Sequence, residues 1–84
     1  MRYTVAWEQA AEDELILIWM NAVDKEAVRD AADQIDPILA VDPETKGEEF
    51  YGDRLLVVAP LSVTFSVLPD DRLVKVLSVW RAGP

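Results

Sequence analysis

The 84-residue chain contains neither cysteine nor histidine. Without thiols it has no disulfide framework and no thiolate metal site, and without imidazole it loses zinc ligation and histidine acid–base chemistry as well. Glycine is scarce, with three residues, and aromatics make up 8% of the chain. No apolar run approaches the roughly 20 residues needed to cross a bilayer. The first residues lack a basic segment followed by an apolar core, so no secretory signal is expected. These absences point to a protein of the bacterial cytoplasm that needs no metal, cofactor or membrane.

What the chain does have is an uneven charge. Its net charge is −8, and residues 1–44 carry all of the excess, with eleven acidic side chains against three basic ones. Residues 45–84 balance five acids with five bases. Affinity for nucleic acid rests mainly on neutralising phosphates, and an acidic surface opposes it at long range. Any basic site must therefore be small and local to the second half. Half of the residues are hydrophobic, which suits a single compact domain over residues 1–84.

The periodicity changes three times. Arg2 to Trp7 alternates, with Tyr3, Val5 and Trp7 on one face, and reads as a strand. From Glu8 the spacing becomes helical, with Glu8, Glu12, Asp13 and Glu14 at the end where negative charge complements the helix dipole. Leu15-Ile-Leu-Ile-Trp-Met20 is apolar almost all the way round, so this helix is expected to be covered on more than one side. After a short break, Asp24 is placed to cap a second helix with Ala27, Val28, Ala31, Ile35 and Leu39 on one face. Pro37 predicts a kink or an early stop near Asp36, and Asp42-Pro43 closes the helical region. Residues 44–53 read as a charged loop.

Three strands follow, Arg54–Ala59, Ser62–Leu68 and Arg72–Arg81, joined by turns carrying proline and aspartate. Ser62, Thr64 and Ser66 alternate with Val63, Phe65 and Val67, which predicts one face on the helices and a polar face left available. The last strand is apolar on both sides and reads as interior. The fold class is therefore α+β: β-α-α-β-β-β, a helical hairpin packed on an antiparallel sheet.

That order resembles the RelE/ParE superfamily of toxins. The resemblance rests on Trp7 followed by Ala10-Ala-Glu-Asp-Glu-Leu15, on Leu39-Ala-Val-Asp-Pro43 with a glycine-containing loop and Arg54-Leu-Leu-Val-Val, and on Val63-Thr-Phe-Ser-Val67 with Val74-Lys-Val-Leu-Ser-Val-Trp-Arg81. It implies the toxin-like component of a type II toxin–antitoxin (plasmid-stabilisation) pair, with a cognate antitoxin as partner. In the mRNA-cleaving members, the mRNA interferases, cations stabilise charge developing on phosphorus while the RNA's own 2′-hydroxyl attacks. By resemblance Arg81 and Arg54 are the catalytic candidates, and Lys46 and Lys75 the RNA-binding ones, against ribosome-bound mRNA. The position where the superfamily usually has a third-strand arginine holds Ser62, and the usual C-terminal tail with its proton-moving side chain is missing.

Each of these residues also has a plainer reading. Arg54 and Arg81 read equally as surface residues paired with nearby acids, and Lys75 as an edge or solvent-side lysine that discourages strand addition. The acid cluster from Glu8 to Glu14 reads as a solvated helix start. Trp7, Trp19 and Trp80 read as packing residues before base-stacking ones. Ser62, Thr64 and Ser66 have no base to activate them. The sequence thus leaves three activities open: mRNA cleavage, a binding module that keeps the fold without the chemistry, and ParE-like inhibition of DNA gyrase. It does not give the oligomeric state.

Overall fold

The computed structural model describes residues 2–82. Strand β1 (Thr4–Trp7) leads into helices α1 (Gln9–Asn21) and α2 (Lys25–Leu39), followed by β2 (Glu48–Phe50), β3 (Asp53–Val58), β4 (Leu61–Leu68) and β5 (Leu73–Arg81). The five strands form one sheet in the order β1-β5-β4-β3-β2. The three expected long strands form the antiparallel meander. Two features add to the expected sheet. β1 lies parallel to β5, with Thr4 opposite Leu73 and Trp7 opposite Val76. The helical hairpin supplies the crossover that a parallel pair requires. Within the expected loop, Glu48–Phe50 pairs antiparallel with the start of β3 as a short edge strand, Glu48 opposite Leu55 and Phe50 opposite Asp53.

Asp24 caps α2 as expected, its carboxylate accepting from the Ala27 amide at 3.0 Å. Pro37 does not end the helix: α2 continues to Leu39. Proline removes the bond to the Asp33 carbonyl, but Asp33 and Pro37 are both exposed, so water can reach that carbonyl. Carrying the helix one turn further buries Leu39 completely, a gain of about 1.5–3 kcal/mol that offsets a proline cost of about 3 kcal/mol.

The core lies between the helices and one sheet face. Val28, Ala31, Ile35 and Leu39 of α2 meet Leu61, Val63 and Phe65 of β4 and Val74, Val76 and Val79 of β5. The other face of β4 differs from expectation. Ser62 and Thr64 are only 4% and 7% exposed, so this polar face is not available. The Phe50 and Trp80 rings stand 6.3 Å apart although their strands are separated by β3 and β4. The sheet therefore curls towards this face, and the hydroxyls of Thr64 and Ser78 bond to each other beneath it. A bulge at Leu77 accompanies the curl: Thr64 pairs with Ser78 but Phe65 with Val76.

Helix α1 also departs from expectation. It packs chiefly on β5 and buries only Ala11 fully. Its outward side is not covered by any other part of the described residues. Lys75, read as an edge or solvent-side lysine, is not at an edge: it lies on an interior strand between Ser66 of β4 and Ala6 of β1.

Candidate functional site

The four candidate cations do not converge on one site. Arg54 enters β3 opposite Phe65, whereas Arg81 closes β5 opposite Leu61. Four residues of β4 and the width of two strand spacings lie between them, or about 16 Å at ordinary strand dimensions. Lys75 is six residues before Arg81 on β5, about 20 Å away along the strand.

Arg54 is already engaged. Its Nε donates to the Lys46 carbonyl at 2.9 Å and an Nη donates to the Gly47 carbonyl at 3.1 Å. The Lys46 ammonium donates to the Val41 carbonyl at 2.9 Å. These bonds tie the loop before β2 to both its neighbours. Gly47 has φ +63°, and a Cβ there would collide with the Leu55 carbonyl oxygen, so this close approach requires glycine. Arg81 is exposed, and no side-chain partner is found for it among the described residues. The structure thus brings Lys46 and Arg54 together and leaves Arg81 apart from them; Lys75, paired with Ser66 next to Arg54's partner Phe65, stands about 10 Å from Arg54 but on the opposite face of the sheet.

Exposed apolar surface, by contrast, is concentrated. Ile16 is 54% exposed, Leu17 60%, Trp19 43%, Met20 61% and Val23 fully so. Val23 is exposed in the connection that follows α1, and on the helix itself positions 16, 19 and 20 fall on one stripe. Beside it runs a groove between α1 and α2, of 370 Å³ where Trp7, Glu12, Leu15, Ile16, Ala32 and Asp36 line it. It continues as 270 Å³ bordered by Trp19, Val28, Arg29 and Asp33. The groove has an apolar floor and mainly acidic rims.

Local chemistry holds the hairpin that carries this face. The Lys25 ammonium donates to the carbonyls of Trp19 and Met20 at 2.9 Å and of Ala22 at 3.3 Å. It thereby caps the carbonyl end of α1 with the charge that end favours, and it stands 5.1 Å from the Trp19 ring centre. At the other end of the groove, the Trp7 indole donates to Asp36 Oδ1 at 2.7 Å and joins β1 to α2. Glu14, one of the acids read as solvated, is exposed and also accepts from the Val79 amide across on β5. Sequence reasoning missed both Lys25 and Glu14, because each acts on backbone groups that only the folded hairpin brings near. The exposed stripe did have a signal, the all-round apolar run of α1, but that run predicted a cover within the chain.

No protein-family profile and no curated protein matches the chain. Solved structures do. A chromosomal ParDE system from P. aeruginosa aligns over 98% of each chain with a TM-score of 0.77 and 24% identity. The toxin–antitoxin complex RelBE2 from Mycobacterium tuberculosis aligns over all of this chain and 95% of that one, with a TM-score of 0.82 and 14% identity. A double arginine-to-alanine mutant of the E. coli toxin RelE in the free state aligns over 98% of this chain and 85% of its own, with a TM-score of 0.65 and 16% identity. What the chain shares with these proteins is a fold, and that fold is the one of the RelE/ParE toxins.

Proposed function

We propose that the chain is the toxin-like component of a type II toxin–antitoxin pair, acting in the bacterial cytoplasm and held by an antitoxin that covers the helical hairpin. One observation carries this reading: the chain leaves the apolar side of α1 uncovered on a fold whose solved relatives include ParDE and RelBE systems. A contiguous exposed apolar surface marks an interaction site. The test is expression with and without the small protein encoded beside it. Arrest of growth by the chain alone, relief on co-expression and co-purification of the two are the expected results. Failure of the two proteins to form a complex overturns the reading.

For chemistry on ribosome-bound mRNA, Arg81 is the proposed phosphate-holding residue, since a guanidinium can grip two phosphate oxygens at once. Lys75 and Lys46 are the proposed RNA contacts, and Arg54 would serve the site by fixing the loop that carries Lys46. A second reading, a binding module without mRNA cleavage, is favoured by the dispersal of these four cations and the engagement of Arg54 with backbone carbonyls. Assays of ribosome-bound mRNA cleavage and of gyrase-driven supercoiling separate the two and include the gyrase alternative.

A further inference from the structure

The groove on the helical hairpin is bordered by charge of one sign. From Gln9 to Leu39 the helices and their connection carry eight acidic residues and two basic ones. Glu12 and Asp36 flank one end of the groove and Asp33 its middle. Of the two cations, Lys25 is occupied with the carbonyls ending α1, which leaves Arg29 at the rim. From this arrangement we infer that the segment docking here is an amphipathic helix whose apolar stripe is bordered by lysines or arginines.

Shape and charge each argue for this occupant. A groove between two helices accepts a third helix by interleaving side-chain ridges. The stripe from Ile16 to Met20 and the floor at Leu15, Val28 and Ala32 offer apolar contacts along its length. A second copy of this chain would lay one acidic rim against another, and like charges brought together at an interface oppose association. A basic border instead pairs with Glu12, Asp33 and Asp36 and speeds encounter. The inference rests on the toxin-like reading for the existence of a protein partner, and adds the chemistry of the segment that this partner must present.

The test uses the whole chain and three synthetic helical peptides of about four turns. Two share one leucine stripe, flanked by lysines in the first and by glutamates in the second. The third keeps the lysines and scrambles the stripe. The lysine-flanked peptide with the intact stripe should bind at least tenfold more tightly than either control, and its affinity should fall as salt rises. Met20→Glu should abolish binding without lowering Tm. The double variant Glu12→Lys/Asp33→Lys should shift preference towards the glutamate-flanked peptide. Equal or tighter binding of the glutamate-flanked peptide overturns the inference, as does equal binding of the scrambled one. Self-association of the chain that Met20→Glu dissolves also overturns it, by assigning the face to a second copy. If a co-encoded protein binds through an acidic or uncharged segment, this inference fails while the toxin-like reading stands. If the lysine-flanked peptide binds as expected but no co-encoded protein does, the reading fails and the inference stands.

Discussion

The Glu14 carboxylate accepts a hydrogen bond from the Val79 backbone amide at 3.1 Å, across 65 positions of sequence. β1 pairs with β5 only from Leu73 to Val76, so the remainder of that strand edge has no neighbouring strand to receive its amides. A side chain from α1 supplies the missing acceptor. Glu14→Ala should cost about 1–3 kcal/mol, the penalty for an unsatisfied, partly buried amide. Glu14→Gln retains an acceptor and should cost less. Chemical denaturation of both variants checks this; two variants as stable as wild type would deny the bond any weight.

Lys25 should matter to the hairpin in a similar way. Replacing it with Ala uncaps three carbonyls and removes the cation beside Trp19. A loss of about 1 kcal/mol is expected for a partly exposed charge at a helix end. Hydrogen exchange should show the effect concentrated in the last turn of α1. Uniform loss across the sheet would contradict a local cap.

The two glycines flanking β2 should respond differently to alanine. At Gly47 the new methyl group meets backbone, whereas at Gly52 nothing lies within 4 Å. Both have positive φ, so both pay the left-handed penalty of about 1–2 kcal/mol, and only Gly47→Ala adds a collision. Arg54→Ala should loosen the same loop by about 1.5–3 kcal/mol through its two charge-assisted bonds. Thermal melts of the three variants should rank Gly52→Ala as the mildest.

Arg81→Ala separates activity from stability. An exposed substitution at a strand end usually changes stability by less than about 0.5 kcal/mol, whereas loss of one transition-state contact costs about 2.7–4 kcal/mol. If the chain cleaves mRNA, this variant should lose most of its cleavage at an unchanged melting temperature. Full toxicity in the variant would remove Arg81 from the proposed site.

Tyr3 gives a pH signature. Its hydroxyl donates to Glu44 Oε1 at 2.9 Å. That hydrogen bond first, then desolvation and the charge of Glu44, raise its pKa above the ordinary 10.0, with Arg72 opposing them. The folded state therefore favours the neutral phenol. The resulting stabilisation is complete below pH 10 and is lost as pH rises through the higher folded value. Phenolate absorbance in a Tyr51→Phe background, which removes the exposed second tyrosine, should show Tyr3 ionising above pH 10.

Local signals made the order of elements legible in the sequence. The period of two marked β1 and β4, β-branched runs between turns marked β3 and β5, the buried stripe of α2 was visible in Val28, Ala31, Ile35 and Leu39, and Asp24 announced its cap. Long-range relationships were not legible. Nothing near Thr4 names Leu73 as its partner, and Glu48-Glu-Phe50 is too short to show alternation. Ser62 and Thr64 looked solvent-facing because nothing local shows that Phe50 of β2 and Trp80 of β5 approach each other across β3 and β4. The same holds for the site. Lys46, Arg54, Lys75 and Arg81 were visible as residue types, but their separation follows from register, which the chain sets only on folding.

The position of β5 has a consequence for synthesis. Leu73–Arg81 is the last strand in the described fold, yet it lies between β1 and β4 and carries most of the packing of α1. During translation β1 and α1 emerge first and must wait for this strand, with some 70 residues between Thr4 and its partner Leu73. Pairings so distant in sequence form late. The hairpin consequently has no firm seat until residues 73–81 have left the ribosome, and a nascent chain stopped before them cannot present the groove to anything that would bind it.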